Sequence, residues 1–128
     1  MLFRSGYDAE ILELHHAQKR DAPSGTALRL AEAIAEGRGH SLEGHLVLER
    51  AGDTGVRPAG AIGIQALRAG DSVGDHSVLF AGEGERLELV HRSQTRDHFA
   101  RGAVRAAAWL VGRTAGLYRI EQVLGLDT

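Results

Sequence analysis

The chain of 128 residues contains no cysteine, only two prolines and 5% aromatic residues. The lack of cysteine excludes disulfide bonds and thiolate metal sites. No stretch approaches the roughly 18 consecutive apolar residues that a membrane span requires. A formal net charge of −2 provides no general attraction to nucleic acid or anionic lipid. We therefore expect a cytoplasmic protein with no nucleic-acid partner and no membrane association.

The overall amino-acid composition is typical of a globular domain. Apolar residues make up 43% of the chain and charged residues 25%, and the 17 glycines fall in short turns, as in proteins with closely spaced strands. Residues 1–6 show no pattern and are interpreted as a leader or an addition from cloning. Residues 7–128 are predicted to form one domain, with no internal repeat and no interdomain linker.

The hydrophobic periodicity predicts the order β-α-β-β-β-β-α followed by a short tail. Period-two patterns indicate strands at 8–16, 44–50, 62–68, 75–81 and 86–92. A helical stripe covers 24–36 with Gly37 as its expected stop, and Thr95 is the expected N-cap of a second helix ending near Gly112. Residues 69–71 and 82–84 have the composition of hairpin turns. These elements predict an α+β fold, with a mixed sheet of four to five strands and helices packed on one side.

Two adjacent histidines and a lysine stand at the end of the first strand. Histidine titrates near pH 6.5, so His15 can hold and donate a proton at neutral pH. Side chains alternate along a strand, which would place His15 and His16 on opposite faces. Lys19 follows closely enough to share the pocket of His15 as a fixed cation. The alternative is a solvated strand end with no chemical role.

A small-residue turn, Pro-Ser-Gly-Thr at residues 23–26, opens the first predicted helix. Ser24, Gly25 and Thr26 can present backbone N–H groups at the positive end of that helix, which is a site for an anion. Gly25 would let a ligand approach without a side chain in the way. A plain N-cap is the alternative, and Asp21 is interpreted as a turn anchor or cap. Together these residues predict a site for a carboxylate substrate that must be protonated.

The remaining polar residues provide no further motif. The other histidines lack metal-ligand spacing, so no metal site is predicted. Arg68, Arg92 and Arg96 could help to hold a dianion, although solvation at the surface is the default for each. No Gly-x-Gly-x-x-Gly turn lies between a strand and a helix; Gly82-Glu-Gly84 is nearest, but it lacks the third glycine and joins two strands.

Residues 10–27 closely resemble the motif of the dihydrodipicolinate reductases, also called 4-hydroxy-tetrahydrodipicolinate reductases. The family pattern Glu-Ile/Val-x-Glu-x-His-x-x-x-Lys-x-Asp-x-Pro-Ser-Gly-Thr-Ala is met at every specified position. Further agreement occurs at residues 55–57, 61–63, 67–71, 74–76, 84–88 and 102–105. The resemblance extends over roughly residues 7–127.

The resemblance implies a nicotinamide-dependent oxidoreductase of the diaminopimelate and lysine pathway. It implies that His15 is the proton donor or acceptor and Lys19 its catalytic partner. It implies that His16, Gly25 and Thr26 contact the substrate, which is a small dicarboxylate. We also expect Ser24 and Lys19 to be substrate-binding residues. It also implies NADPH or NADH as the cofactor of the full-length enzyme, and assembly as a homotetramer.

The sequence departs from the family in one large respect, because the N-terminal Rossmann domain is absent from these 128 residues. We therefore expect this chain to be the substrate-binding and tetramer-forming C-terminal half, without bound cofactor and inactive in isolation. Four apolar residues of the final stretch would then be exposed or repacked: Phe99, Trp109, Leu117 and Leu124. A different function stays open, that of a non-catalytic dicarboxylate-binding or assembly module.

Overall fold

The computed structural model describes residues 6–126. Chain contacts divide it into two compact units, here called the sheet unit, up to Gln94, and the helical unit, from Thr95. The sheet unit contains β1 (Asp8–His15), α1 (Gly25–Arg38), β2 (Leu46–Val47), β3 (Ile62–Arg68), β4 (Gly74–Gly82) and β5 (Glu85–Ser93). The helical unit contains α2 (Asp97–Leu110) and α3 (Ile120–Leu124). Of the predicted leader, residues 1–5 lie outside the described range, as do residues 127–128.

The five strands form one mixed sheet in the order β2-β3-β1-β4-β5. β1 runs parallel to β3 and antiparallel to β4, and β4 pairs with β5 in antiparallel fashion. The predicted α+β class with a mixed sheet is therefore confirmed. The predicted strand at 44–50 is reduced to the two residues of β2, which pair only with Ile62 and Gly63 of β3.

The core lies between α1 and one face of the sheet. Alternation along β1 turns Ala9, Ile11 and Glu13 toward α1, and all three are buried. α1 meets this face with alanines spaced four residues apart, so the helix approaches the strands closely: Ala27, Ala31 and Ala35. α1 therefore packs on the face of β1 that carries Glu13, and its N-cap residue Ser24 bonds that side chain.

α1 ends at Gly39 and not at the predicted Gly37. Gly39 adopts a left-handed conformation with φ of 79°, and its N–H closes the last turn onto Ala35 and Glu36. The helix continues past Gly37 because Arg38 is held by the backbone carbonyls of Tyr7 and Gly60.

The two predicted hairpins have different outcomes. The turn at 82–84 is confirmed, because β4 and β5 pair directly across it. The hairpin at 69–71 is wrong, because β1 lies between β3 and β4. The connection instead passes around the end of β1, where Ala69 donates to the carbonyl of His15 and His16 donates to the carbonyl of Ser72. This crossing fixes the backbone of the two adjacent histidines.

The helical unit has an exposed surface. No residue of α2 is buried, and Phe99, Leu117 and Leu124 are exposed, as expected. The Trp109 ring lies edge-on to Tyr118, with the Arg113 guanidinium 3.5 Å from its centre. The N-cap position is Arg96 and not Thr95, although the Thr95 hydroxyl accepts from the Asp97 N–H at 3.3 Å. No helix within residues 6–126 is long and apolar enough to cross a membrane.

Candidate active site

The end of β1 and the start of α1 are joined by one buried carboxylate, Glu13. Glu13 and His15 lie two residues apart in β1 and therefore on the same face, and His15 Nδ1 is 2.6 Å from Glu13 Oε2. Arg68, the residue opposite His15 on β3, reaches both carboxylate oxygens at 2.8 and 3.0 Å. The Ser24 N–H donates to Glu13 Oε1 at 2.9 Å. One carboxylate thus connects the candidate proton donor to the N-terminus of the helix.

Glu13 is completely buried, with 0% of its surface exposed. Burial by itself would raise the pKa of this carboxyl, but the hydrogen bonds from Arg68, His15 and the Ser24 N–H outweigh that effect and hold the pKa below its usual range. The same contact raises the pKa of Arg68. Glu13 is consequently an anion paired with a cation, and it can only accept hydrogen bonds.

His76 of β4 is the second histidine of the site. Its Nε2 lies 3.1 Å from the Ser24 hydroxyl oxygen, and that oxygen accepts from the Ala27 N–H at 3.2 Å. The His76 ring is edge-on to that of His15, with 5.2 Å between ring centres. Burial lowers the pKa of His76, and the neighbouring His15 lowers it further. His76 is therefore a neutral, structural partner of the N-cap.

The pH dependence of stability provides a test of this arrangement. The folded-state pKa of His76 lies below its unfolded value, so the unfolded chain binds the additional proton as pH falls. We expect His76 to destabilise the fold as pH falls below about 6.5, with a slope of at most about 1.4 kcal/mol per pH unit. Urea unfolding of the chain between pH 7.5 and 5.5 should show a smaller slope in His76→Gln. The control His98→Gln, on α2, should keep the wild-type slope; equal slopes in all three proteins would contradict the assignment.

Lys19 lies in the turn after β1 and is held by Asp21. The Lys19 ammonium donates to both Asp21 oxygens at 2.8 and 2.9 Å. The lysine side chain is 20% exposed and that of Asp21 67% exposed, so the pair lies at the surface of the site. Asp21 is therefore a turn anchor, while Ser24 is the N-cap. The carbonyl of Asp21 also accepts from Arg68 at 2.7 Å, which ties this turn to Glu13.

The first turn of α1 provides N–H donors. Ser24 caps the helix through Ala27 and Leu28, whereas the N–H groups of Gly25 and Thr26 have no acceptor among the described residues. Both residues are exposed, and a Cβ at Gly25 would have nothing within 4 Å. The space at the positive end of the helix is consequently open to an anion.

His16 follows the last residue of β1 and is half-buried. Its backbone bonds Ser72 and Lys19, but its side chain forms no hydrogen bond within residues 6–126. The structure thus brings five of the six predicted site residues into one hydrogen-bonded or contiguous group, and His16 is attached to it through the backbone.

Three members of the group were not predicted as site residues: Glu13, His76 and Arg68. The default interpretation of Arg68 as a solvated residue is wrong, because its guanidinium is bound by Glu13 and its side chain is only 19% exposed. Strand alternation was a usable signal for Glu13, which shares a face with His15. For His76 the only signal was the family resemblance at residues 74–76, because its place in the group depends on the pairing of β4 with β1. The Arg92 side chain, by contrast, is 69% exposed, and its Nε lies 4.0 Å from Asp75 Oδ2.

The group contains a proton carrier, a lysine and free backbone donors, and no metal cluster lies among residues 6–126. The family model for the C-terminus of dihydrodipicolinate reductase matches residues 1–124. The chain belongs to the dihydrodipicolinate reductase family. Among curated 4-hydroxy-tetrahydrodipicolinate reductases, it is 61% identical to that of Desulfotalea psychrophila over 94% of this chain and 57% identical to that of Anaeromyxobacter dehalogenans over 94%.

The curated reductases are longer than this chain. The chain spans 45% of each of these two reductases. A solved structure of dipicolinate-bound dihydrodipicolinate reductase from Paenisporosarcina sp. TG-14 superposes with a TM-score of 0.67 at 36% identity, covering 90% of this chain and 44% of the other. The chain therefore corresponds to the C-terminal part of the family's reductases.

Proposed function

We propose that this chain supplies the substrate site and the proton donor for the nicotinamide-dependent reduction of 4-hydroxy-tetrahydrodipicolinate to tetrahydrodipicolinate, in the diaminopimelate and lysine pathway. One observation carries the proposal. His15, held by buried Glu13, stands at the strand end whose following turn carries Lys19 and leads to the free N–H groups of α1. A proton donor with a cation and an anion-binding helix end suits a dicarboxylate that must be protonated.

The roles follow from the chemistry of the side chains. The N–H groups of Gly25 and Thr26, with the Ser24 cap beside them, would bind one carboxylate at the positive end of α1. Lys19 and His16 would bind the other, and the ligand would then compete with Asp21 for the ammonium. His15 would deliver a proton to the ring carbon next to the one that receives hydride. The dipicolinate named with the Paenisporosarcina sp. TG-14 structure is a planar dicarboxylate of this class.

The cofactor would be held by another part of the complete enzyme. NADH or NADPH would supply hydride, but the β1-to-α1 turn lacks the glycine-rich pattern that accommodates a dinucleotide diphosphate. The residues described here therefore do not fit the cofactor, and we propose that the isolated chain neither binds it nor turns over substrate. A reaction that depends on nicotinamide cofactors also agrees with the proposed cytoplasmic location.

A fusion protein tests the proposed function. The N-terminal part of the Desulfotalea psychrophila reductase, joined to this chain, should oxidise NADPH or NADH only when the substrate is supplied. The chain alone is the control and should show no oxidation. A folded fusion that binds cofactor and dipicolinate but does not turn over would support the alternative, a dicarboxylate-binding or assembly module.

We further propose a homotetramer assembled through the sheet face opposite α1. Alternation places Leu12, Leu67 and Val90 on that face, and each remains more than 40% exposed. An apolar sheet face of this kind requires a cover. Light scattering should give four times the 13.7 kDa chain mass, and Leu12→Lys should lower it. Leu117→Lys, in the helical unit, should leave the mass unchanged; a wild-type monomer would contradict the proposal.

A further inference from the structure

The buried carboxylate of Glu13 restricts which nitrogen of His15 can exchange a proton with a ligand. We infer that Glu13 is a positioning residue that keeps a hydrogen on His15 Nδ1 and leaves Nε2 as the reacting atom. The catalytic role of Glu13 in this inference rests on the proposed function. The tautomer of His15 does not, because it is a property of the chain alone.

Hydrogen-bond chemistry determines the tautomer. The Glu13 carboxylate is surrounded by donors, with two Arg68 nitrogens, the Ser24 N–H and His15 Nδ1 all within 3.0 Å. An ionised carboxylate has no hydrogen to donate, so at 2.6 Å the hydrogen must belong to His15 Nδ1. A neutral imidazole has one N–H, and Nε2 is then the unprotonated nitrogen.

The surroundings of Nε2 agree with this role. Within the described residues Nε2 forms no hydrogen bond, and the His15 side chain retains 12% of its exposure. Gly74 of β4 lies alongside, where a Cβ would come within 3.0 Å of Nε2 and 3.6 Å of the His76 ring. Glycine therefore leaves space beside the nitrogen that must meet the substrate.

The same carboxylate also determines where the helix begins relative to the imidazole. Oε2 bonds His15, and Oε1 accepts from the Ser24 N–H. Ser24 directly precedes Gly25 and Thr26, whose N–H groups are the two free donors of α1. Arg68 keeps the carboxylate charged by occupying both oxygens. Glu13 thereby fixes the position of the proton donor relative to the helix end that would bind the anion. Protonation of a bound dicarboxylate in a defined orientation requires such a fixed relation.

Glu13→Gln should reverse the tautomer. An amide has one acceptor oxygen. Placing it toward the Ser24 N–H and one Arg68 nitrogen leaves the NH₂ group facing His15 Nδ1 and the other Arg68 nitrogen, so a single donor–donor contact remains. The opposite orientation would turn the NH₂ group toward the Ser24 N–H and the second Arg68 nitrogen, which are both donors. The variant ring should therefore accept at Nδ1 and carry its hydrogen on Nε2.

Long-range ¹H–¹⁵N correlation spectra of histidine-labelled chain, recorded above the imidazole titration range, distinguish the two nitrogens. We expect Nδ1–H for His15 in the wild type and Nε2–H in Glu13→Gln. Glu10→Gln is the matched control, because Glu10 is also a β1 carboxylate bound by arginines, Arg50 and Arg57, but on the other face. That control should leave the His15 tautomer unchanged while altering stability.

Wild-type His15 with its hydrogen on Nε2 would overturn the inference, even if Glu13→Gln fails to fold. An unchanged tautomer in folded Glu13→Gln would overturn it as well. In the active fusion, Glu13→Gln should lower kcat by roughly 10²-fold or more with little change in KM. The proton donor is the imidazolium of His15, which carries a hydrogen on both nitrogens, and an amide in place of the Glu13 anion no longer stabilises that cation. An inactive fusion would count against the proposed function and leave the tautomer result standing.

Discussion

Replacing His15 by glutamine in the fusion enzyme is expected to lower kcat by about 10²- to 10⁴-fold, the usual contribution of a positioned general acid. Glutamine retains a polar group of similar reach but has no proton acidic enough to deliver to the substrate near neutral pH. Binding of the dicarboxylate should change far less, because the proposed carboxylate contacts come from Lys19, His16 and α1. Steady-state kinetics with varied substrate separate the two effects.

The control for that experiment is His45→Gln. His45 belongs to a second histidine pair, stacked on His40 with 4.1 Å between ring centres, and its Nδ1 bonds the backbone carbonyls of Ser41 and Glu43. Its replacement should leave kcat close to the wild-type value. If His15→Gln raises KM as strongly as it lowers kcat, His15 would be a binding residue and the proposed proton transfer would have to come from another group.

Replacing Lys19 by alanine is expected to weaken binding of pyridine-2,6-dicarboxylate by about 10- to 150-fold. The reason is the loss of one charge-assisted hydrogen bond to a ligand carboxylate, of the kind Lys19 now forms with Asp21 at 2.8 Å. Calorimetry on the isolated chain measures this directly. Wild-type affinity should be poor and should fall with added salt, because the site is open to water.

Arg20→Ala is the matched control for Lys19→Ala. It removes the same charge from the adjacent, exposed residue, so a general electrostatic effect would weaken binding equally in the two variants. We expect little change from Arg20→Ala. Equal losses in both variants, or equal binding by Lys19→Ala and wild type, would show that the second carboxylate does not bind at Lys19.

Local patterns predicted most of the elements and several residues that the fold brings together. The strand ending at His15, the helix opening at Ser24 and the turn at 82–84 each depend on residues close in sequence. The insertion of β1 between β3 and β4 could not be predicted in this way, because strand order depends on contacts between distant residues. The wrong hairpin at 69–71 is the direct result, since turn composition does not specify which strands it joins.

The dependence on contacts between distant residues also explains why three members of the site were not predicted. Glu13 was visible as a polar residue in an apolar strand, but its importance depends on Arg68, which reaches it only after β3 pairs with β1. His76 meets Ser24 only after β4 pairs on the other side. Residue types and spacing predicted the groups that we propose contact the substrate, whereas the groups that hold them are brought into place only by strand pairing.

The central position of β1 has a consequence for how the molecule folds. Ala9 pairs with Ile62 on one side and with Phe80 on the other, so the strand that carries His15 is completed only by residues far along the chain. Contacts of such long sequence separation form slowly and open only with the surrounding structure. The amides of β1 should therefore exchange with solvent only through global unfolding, and the ring of His15 should acquire its environment only once both neighbouring strands have paired with β1.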